Sequence, residues 1–113
     1  MDFNQYQEMS QRTMKKGRTL KDNVSDYSMG LTGEAGETVD YLKKVVHHDH
    51  KLDRNHLKKE MGDVLWYLSA LSTTFDIDLQ DVARMNILKL KERYPVGFNT
   101  EDSVKRVDVA ETS

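Results

Sequence analysis

Two pairs of acids in this chain could do chemistry together. Gly33-Glu34-Ala35-Gly36-Glu37 and Lys59-Glu60-Met61-Gly62-Asp63 are each an acid-x-x-acid unit. Side chains three residues apart share one face of a helix, so each unit aims two carboxylates the same way. Leu31, Ala35 and Leu42 flank the first unit; Met61, Val64, Leu65 and Leu68 flank the second. If both apolar stripes face a common core, Glu34, Glu37, Glu60 and Asp63 point toward one shared, partly buried site. Four packed carboxylates repel, and some must take up protons at neutral pH unless a cation offsets the charge. An oxygen-only donor set suits a hard divalent ion, Mg2+ or, as a substitute, Mn2+. A glycine inside a helix costs about 1 kcal/mol relative to alanine. Gly33, Gly36 and Gly62 beside the acids therefore predict that another helix or a ligand approaches closely there. The bland alternative is that the acids lie on solvated faces and pair with Lys43, Lys44, Lys58 or Lys59. Two glycine-flanked units, each bordering an apolar stripe, favour the metal site.

A second set of groups lies further on. Asn86, Lys89 and Arg93 follow i, i+3, i+7 spacing, a polar stripe beside the apolar Ala83, Ile87, Leu90 and Tyr94. Cations beside an acidic metal site are what a triphosphate requires, because they take the charge that the metal leaves. The alternative is that Lys89 and Arg93 are solvated or pair with Glu92 or Asp81. His47, His48, His50 and His56 could suit zinc or nickel. No His-x-x-x-His falls within a helix and no glutamate has a histidine three residues on, so neither a zinc site nor a ferritin-like di-iron site is expected. Trp66 and Tyr67 follow Asp63 on or near the acid-bearing face. They could stack on a nucleobase, but filling the core is the favoured reading.

Helices must position these groups. Phe3, Tyr6, Met9 and Thr13 share one helix face with Asp2 as N-cap, and Gly17 ends or weakens that helix. Asp22, Asn23, Ser25 and Asp26 read as a cluster of turn and cap residues. A second helix is predicted from about Asp26 to Val46, burying Tyr27, Leu31, Ala35, Leu42 and Val45 or Val46. The polar stretch from His47 to Asn55 reads as a loop, with Asp53 the N-cap of a third helix. That helix shows Leu57, Met61, Val64, Leu65, Leu68, Leu71 and Phe75 on its apolar face. A short Asp76-Ile77-Asp78 connection leads to a fourth helix from Leu79 to about Tyr94, stopped by Pro95, with Asp78 and Asp81 resembling a capping pair. The short gap between the second and third helices makes them an antiparallel hairpin. The tail from Val96 shows no helical period and reads as a terminal arm or a disordered segment; its Arg-Val-Asp-Val-Ala-Glu alternation is isolated. The expected organisation is one all-α domain over residues 1–95 and a C-terminal arm over 96–113. The fold is a four-helix, bundle-forming one with a central hairpin, completed by oligomerisation.

Composition agrees. The 113 residues carry 17 Lys plus Arg against 19 Asp plus Glu, and this slight negative balance disfavours nucleic acid as a partner. The absence of cysteine excludes disulfides, thiol catalysis and Cys-ligated metals and fits a reducing cytoplasm. The longest uncharged run, Val64 to Phe75, is too short to cross a membrane, and the N-terminus lacks the apolar run of a signal peptide.

GEAGE followed by EMGDVLWYL resembles the MazG-like nucleoside triphosphate pyrophosphohydrolases of the all-α NTP pyrophosphatase superfamily. Their pattern, Glu-x-x-Glu, a variable gap, then Glu-x-x-Asp, falls on Glu34, Glu37, Glu60 and Asp63 with 22 residues between the halves. Their basic helix ending in an Arg-Tyr-Pro-like sequence matches Asn86, Lys89, Arg93, Tyr94 and Pro95. The resemblance runs from about Tyr27 to Pro95; a looser one extends to Gly97, Phe98, Ser103 and Arg106 in the tail. It implies hydrolysis of a nucleoside triphosphate to monophosphate and pyrophosphate. The four acids hold Mg2+, which polarises the phosphate and lowers the pKa of a bound water, and Glu37 or Glu34 orients or deprotonates that water. It also implies a homodimer or homotetramer with sites near subunit interfaces. The broad apolar surface of the third helix points the same way, since it needs neighbours on several sides. The rival reading is a non-catalytic helical module whose acids bind a metal structurally or not at all.

Overall fold

The computed structural model describes residues 1–106. The chain is all-α, and the helices run in the order α1 (Phe3–Ser10), a 3-10 turn (Gln11–Thr13), α2 (Leu20–His47), α3 (Arg54–Thr74), α4 (Leu79–Arg93) and α5 (Thr100–Lys105). Among the described residues there is no strand, only an isolated bridge between Pro95 and Gly97. The chain divides into two compact units, Met1–Leu79 and a second that begins at Gln80.

In the first unit α2 and α3 form the expected antiparallel hairpin. Tyr27 near one end of α2 meets Trp66 and Tyr67 of α3, and Tyr41 near the other end meets His56. Asp53 caps α3 as predicted, its carboxylate accepting from the Asn55 and His56 N–H groups. At the far end Asp76 takes the left-handed conformation (φ 55°). The Asp76 N–H then donates to Thr73 and the Ile77 N–H to Ser72, closing the helix in a Schellman-type turn.

The start of α2 differs from the expectation. It begins at Leu20, capped by Thr19, whose hydroxyl accepts from the Asp22 N–H. The polar residues read as a turn are helical because their side chains are engaged elsewhere. Asp22 lies in the first turn, where a negative charge suits the helix dipole. Arg18 donates to Asn23 at 2.9 Å and to Asp26 at 2.7 Å.

α1 is fixed by the Asp2–Gln5 capping box and packs on α3 through polar contacts. Ser10 and Ser69, both buried, share a hydrogen bond of 2.8 Å. The buried Gln7 amide donates to Thr73 and to the Ile77 carbonyl and accepts from the Leu79 N–H, clasping the turn that follows α3.

The apolar stripes are only partly covered. Tyr27 is buried and Leu31 and Val45 are half-buried, but Ala35, Leu42 and Val46 are exposed. On α3, Leu57, Val64, Leu65 and Leu71 turn inward while Met61, Leu68 and Phe75 stay exposed at 57%, 40% and 53%. The inward line of α2 instead runs Tyr27, Leu31, Glu34, Thr38, Tyr41, Val45. Alternating steps of four and three keep it facing α3, and Glu34 takes the place assigned to Ala35.

The second unit holds α4 and α5. Within it Tyr94 and Phe98 rings lie 5.1 Å apart. The arm beyond Pro95 is not without helix: Asn99 caps α5, accepting from the Asp102 N–H. Four polar residues after this cap hide a single short turn from any periodic reading. The Val107–Glu111 part of the tail alternation lies outside the described residues.

Candidate metal centre

Glu34 and Glu37 lie one turn apart on α2, and Glu60 faces them from α3. One carboxylate oxygen from each of the three comes within 4.8 Å of the others. Among the described residues this is the one group of three or more acids, histidines or cysteines close enough to share an ion. Glu34 and Glu60 are half-buried, while Glu37 is exposed. The Oε2 atoms of Glu34 and Glu60 are both buried without a hydrogen-bond partner. An unpartnered buried carboxylate oxygen is expensive, so the pair fits a cation better than it fits an empty space. Three carboxylates offer oxygen donors, a set that would suit a hard divalent cation.

The electrostatics agree. Burial pushes the Glu34 carboxyl above its ordinary value, and the hydrogen bond it shares with Glu37 adds to this, as do the charges of Glu37, Asp63 and Glu60. The site carries the like-charge repulsion expected of an acid cluster. Asp63 is exposed and stands outside the triplet, so three of the four predicted acids meet within that distance. Its shorter side chain reaches the cluster as a charge on Glu34.

The lysines do not neutralise the acids in the way the bland reading required. Lys44 pairs with Asp40 at 3.2 Å and Lys43 reaches the same carboxylate at 4.0 Å. Glu60 faces His56 Nε2 at 3.5 Å. That histidine is four residues before Glu60 on one helix face, a spacing visible in the sequence but not used in its reading. Its ring lies 4.4 Å from the Tyr41 ring, and the Tyr41 hydroxyl accepts from the Asp53 N–H at 2.7 Å.

The glycines correct the expectation of a close helix. A Cβ at Gly33, Gly36 or Gly62 would meet nothing within 4 Å. The close approach is at Gly30, where a Cβ would run into the Tyr67 ring. Gly33 and Gly36 instead line a groove of about 530 Å³ with Glu37, Glu60, Lys44 and His56. The groove leaves room for a ligand against the acids. Trp66 and Tyr67 take part in the core, as favoured. Their rings make edge contacts with each other, Trp66 does so with Tyr27, and Trp66 Nε1 donates to Thr13 at 2.8 Å.

Asn86, Lys89 and Arg93 lie on α4 in the second unit, and the Arg93 guanidinium lies 5.9 Å from the Tyr94 ring. Asp81, one of the acids considered for them, pairs with Arg84 at 3.2 Å.

The MazG nucleotide pyrophosphohydrolase domain model matches residues 22–98, which hold both acid pairs and α4. The chain belongs to the MazG nucleotide pyrophosphohydrolase family. The match runs from the first turn of α2 through α3 and α4 to Phe98. The chain is also 36% identical over 80 residues to the Gene 37 protein of Mycobacterium phage L5, a match spanning 67% of this chain and 70% of that one. No solved structure matches it. No described helix is long and apolar enough to cross a membrane.

Proposed function

We propose that this MazG-family chain is a Mg2+-dependent nucleoside triphosphate pyrophosphohydrolase. It would convert an NTP or dNTP to the monophosphate and pyrophosphate, as a cytoplasmic house-cleaning activity on the nucleotide pool. The observation that carries this reading is the Glu34–Glu37–Glu60 triplet, with its two buried, unpartnered carboxylate oxygens, opening on an unfilled groove. Glu34, Glu37 and Glu60, with Asp63, would hold Mg2+. When bound, Mg2+ neutralises phosphate charge and polarises the α-phosphorus.

The chain's own groups do the rest. Glu37, the exposed member of the triplet and part of the groove wall, accepts the proton of the attacking water. The water oxygen bonds to the α-phosphorus as the bond to the bridging oxygen breaks, and pyrophosphate leaves with that electron pair. Asn86, Lys89 and Arg93 bind phosphate oxygens, Lys and Arg offsetting the charge that accumulates. The exposed stripe of Met61, Leu68 and Phe75 supports a homodimer or homotetramer, because an open apolar face of this kind is covered in an assembly.

Pyrophosphate release from a panel of triphosphates, with Mg2+ and with EDTA, tests the reading. Mg2+-dependent release in an assembly larger than the 13.1 kDa chain supports both parts. No release from any triphosphate leaves the non-catalytic module, and an active monomer removes the assembly.

A further inference from the structure

Two turns along the hairpin from the acids is a second, smaller cavity. It has a volume of about 160 Å³ and is lined by Thr13, Lys15, Asp26, Tyr27, Trp66 and Tyr67. Seven residues separate Tyr27 from Glu34 and Tyr67 from Glu60, and both steps run toward the same end of the hairpin. At the rise of a helix this puts the cavity about 10 Å from the acids. Tyr67 connects the two places. Burial raises its hydroxyl pKa, and the charges of Asp26 on one side and Glu34 and Asp63 on the other raise it further.

The walls suit a flat, unsaturated ring. Trp66 and Tyr67, both half-buried beside the buried Tyr27, offer aromatic surface, and a nucleobase stacks on such surface with about 1–3 kcal/mol. Asp26 supplies acceptor oxygens and Lys15 N–H donors, the alternation that the edge of a base presents. The Asp26 carboxylate is held by Arg18, whose guanidinium also lies 5.2 Å from the Tyr27 ring. Size then selects. A cavity of about 150 Å³ takes a ring the size of benzene. A single six-membered ring fills this volume, whereas the second ring of a purine would have to stand outside it.

We propose that this cavity is the base site and that it takes a pyrimidine. The nucleotide then lies along the hairpin, base against Trp66 and Tyr67, ribose over the next turn, and phosphates at the acids. This rests on the reading of the acid cluster as a triphosphate site. The pyrophosphate end falls in the groove that Lys44 and His56 share with Glu60.

Trp66 is the chain's one tryptophan, so its emission reports on this cavity directly. Cytidine, uridine, adenosine and guanosine are titrated into the whole protein in EDTA, which needs neither metal nor turnover. The proposal expects a saturable change with cytidine or uridine at concentrations about tenfold below those for either purine nucleoside. Lys15→Ala should weaken that binding about tenfold, and Asp26→Asn serves as a second variant on the same edge. Purine nucleosides that bind as well as pyrimidines overturn the proposal. So does unchanged emission with all four; if triphosphates are still hydrolysed, the acid-site reading survives it. Pyrimidine binding in a protein that hydrolyses no triphosphate upholds the base site and overturns the acid-site reading.

Discussion

Neighbouring turns of the α2–α3 hairpin use glycine for opposite ends. At Gly30 the missing Cβ lets the Tyr67 ring lie against the α2 backbone, beside Tyr27 and Trp66. At Gly33 and Gly36, one and two turns on, the missing Cβ leaves open space that becomes the wall of the acid groove. The first region is an aromatic layer that holds the helices together. The second gives up packing and leaves two carboxylate oxygens buried without partners. A glycine among helical residues thus marks either contact or vacancy, and only the register between the two helices decides which.

The acid region should break most sharply. Glu60→Gln or Asp63→Asn should lower turnover by about three orders of magnitude or more, the several kcal/mol that metal-assisted chemistry supplies. The metal-free fold should be as stable as before or more so, since a repelling charge is gone. Steady-state kinetics at saturating Mg2+ and thermal melts in EDTA read the two effects. Near wild-type turnover would remove the metal role.

The basic stripe of the second unit comes next. Lys89→Ala and Arg93→Ala should each raise KM for triphosphate more than they weaken Mg2+ binding, by about 1.5–3 kcal/mol per charge-assisted contact. Unchanged triphosphate binding in both variants would remove the phosphate role of the stripe.

The glycines test the comparison itself. Gly30→Ala forces the Tyr67 ring away and should destabilise by about 1–3 kcal/mol. Gly33→Ala meets open space and should stabilise the metal-free fold by up to about 1 kcal/mol, as alanine favours helix. Denaturant melts separate them, and a shift of the same sign in both would erase the distinction between the regions.

The smallest effect is with pH. Folding holds the Glu34 carboxyl above its ordinary 4.5, so between the two values the folded protein binds a proton that the unfolded chain does not. The contribution is fully present below 4.5 and is lost as pH rises through the folded value. In EDTA, Glu34→Gln should remove this falling component from the stability–pH curve. A curve of the same shape in both proteins would contradict the cluster's repulsion.

Much of this was legible in the residues, for identifiable reasons. The acid pairs, the Asp53 cap and the end of α4 at Pro95 are local patterns, and local chemistry sets them. The start of α2 was hidden because Asn23 and Asp26 take their partner, Arg18, from the preceding loop. The core line through Glu34 instead of Ala35, and the contact at Gly30, depend on how two helices align. None of these is a property of one helix.

The central claim is attack at the α-phosphorus by a water that the Glu34–Glu37–Glu60 site activates. Turnover of a triphosphate with Mg2+ in 18O-labelled water, followed by mass spectrometry of both products, tests it most directly. The account predicts label in the nucleoside monophosphate and none in pyrophosphate. Label in pyrophosphate, or diphosphate and inorganic phosphate as the products, would contradict it.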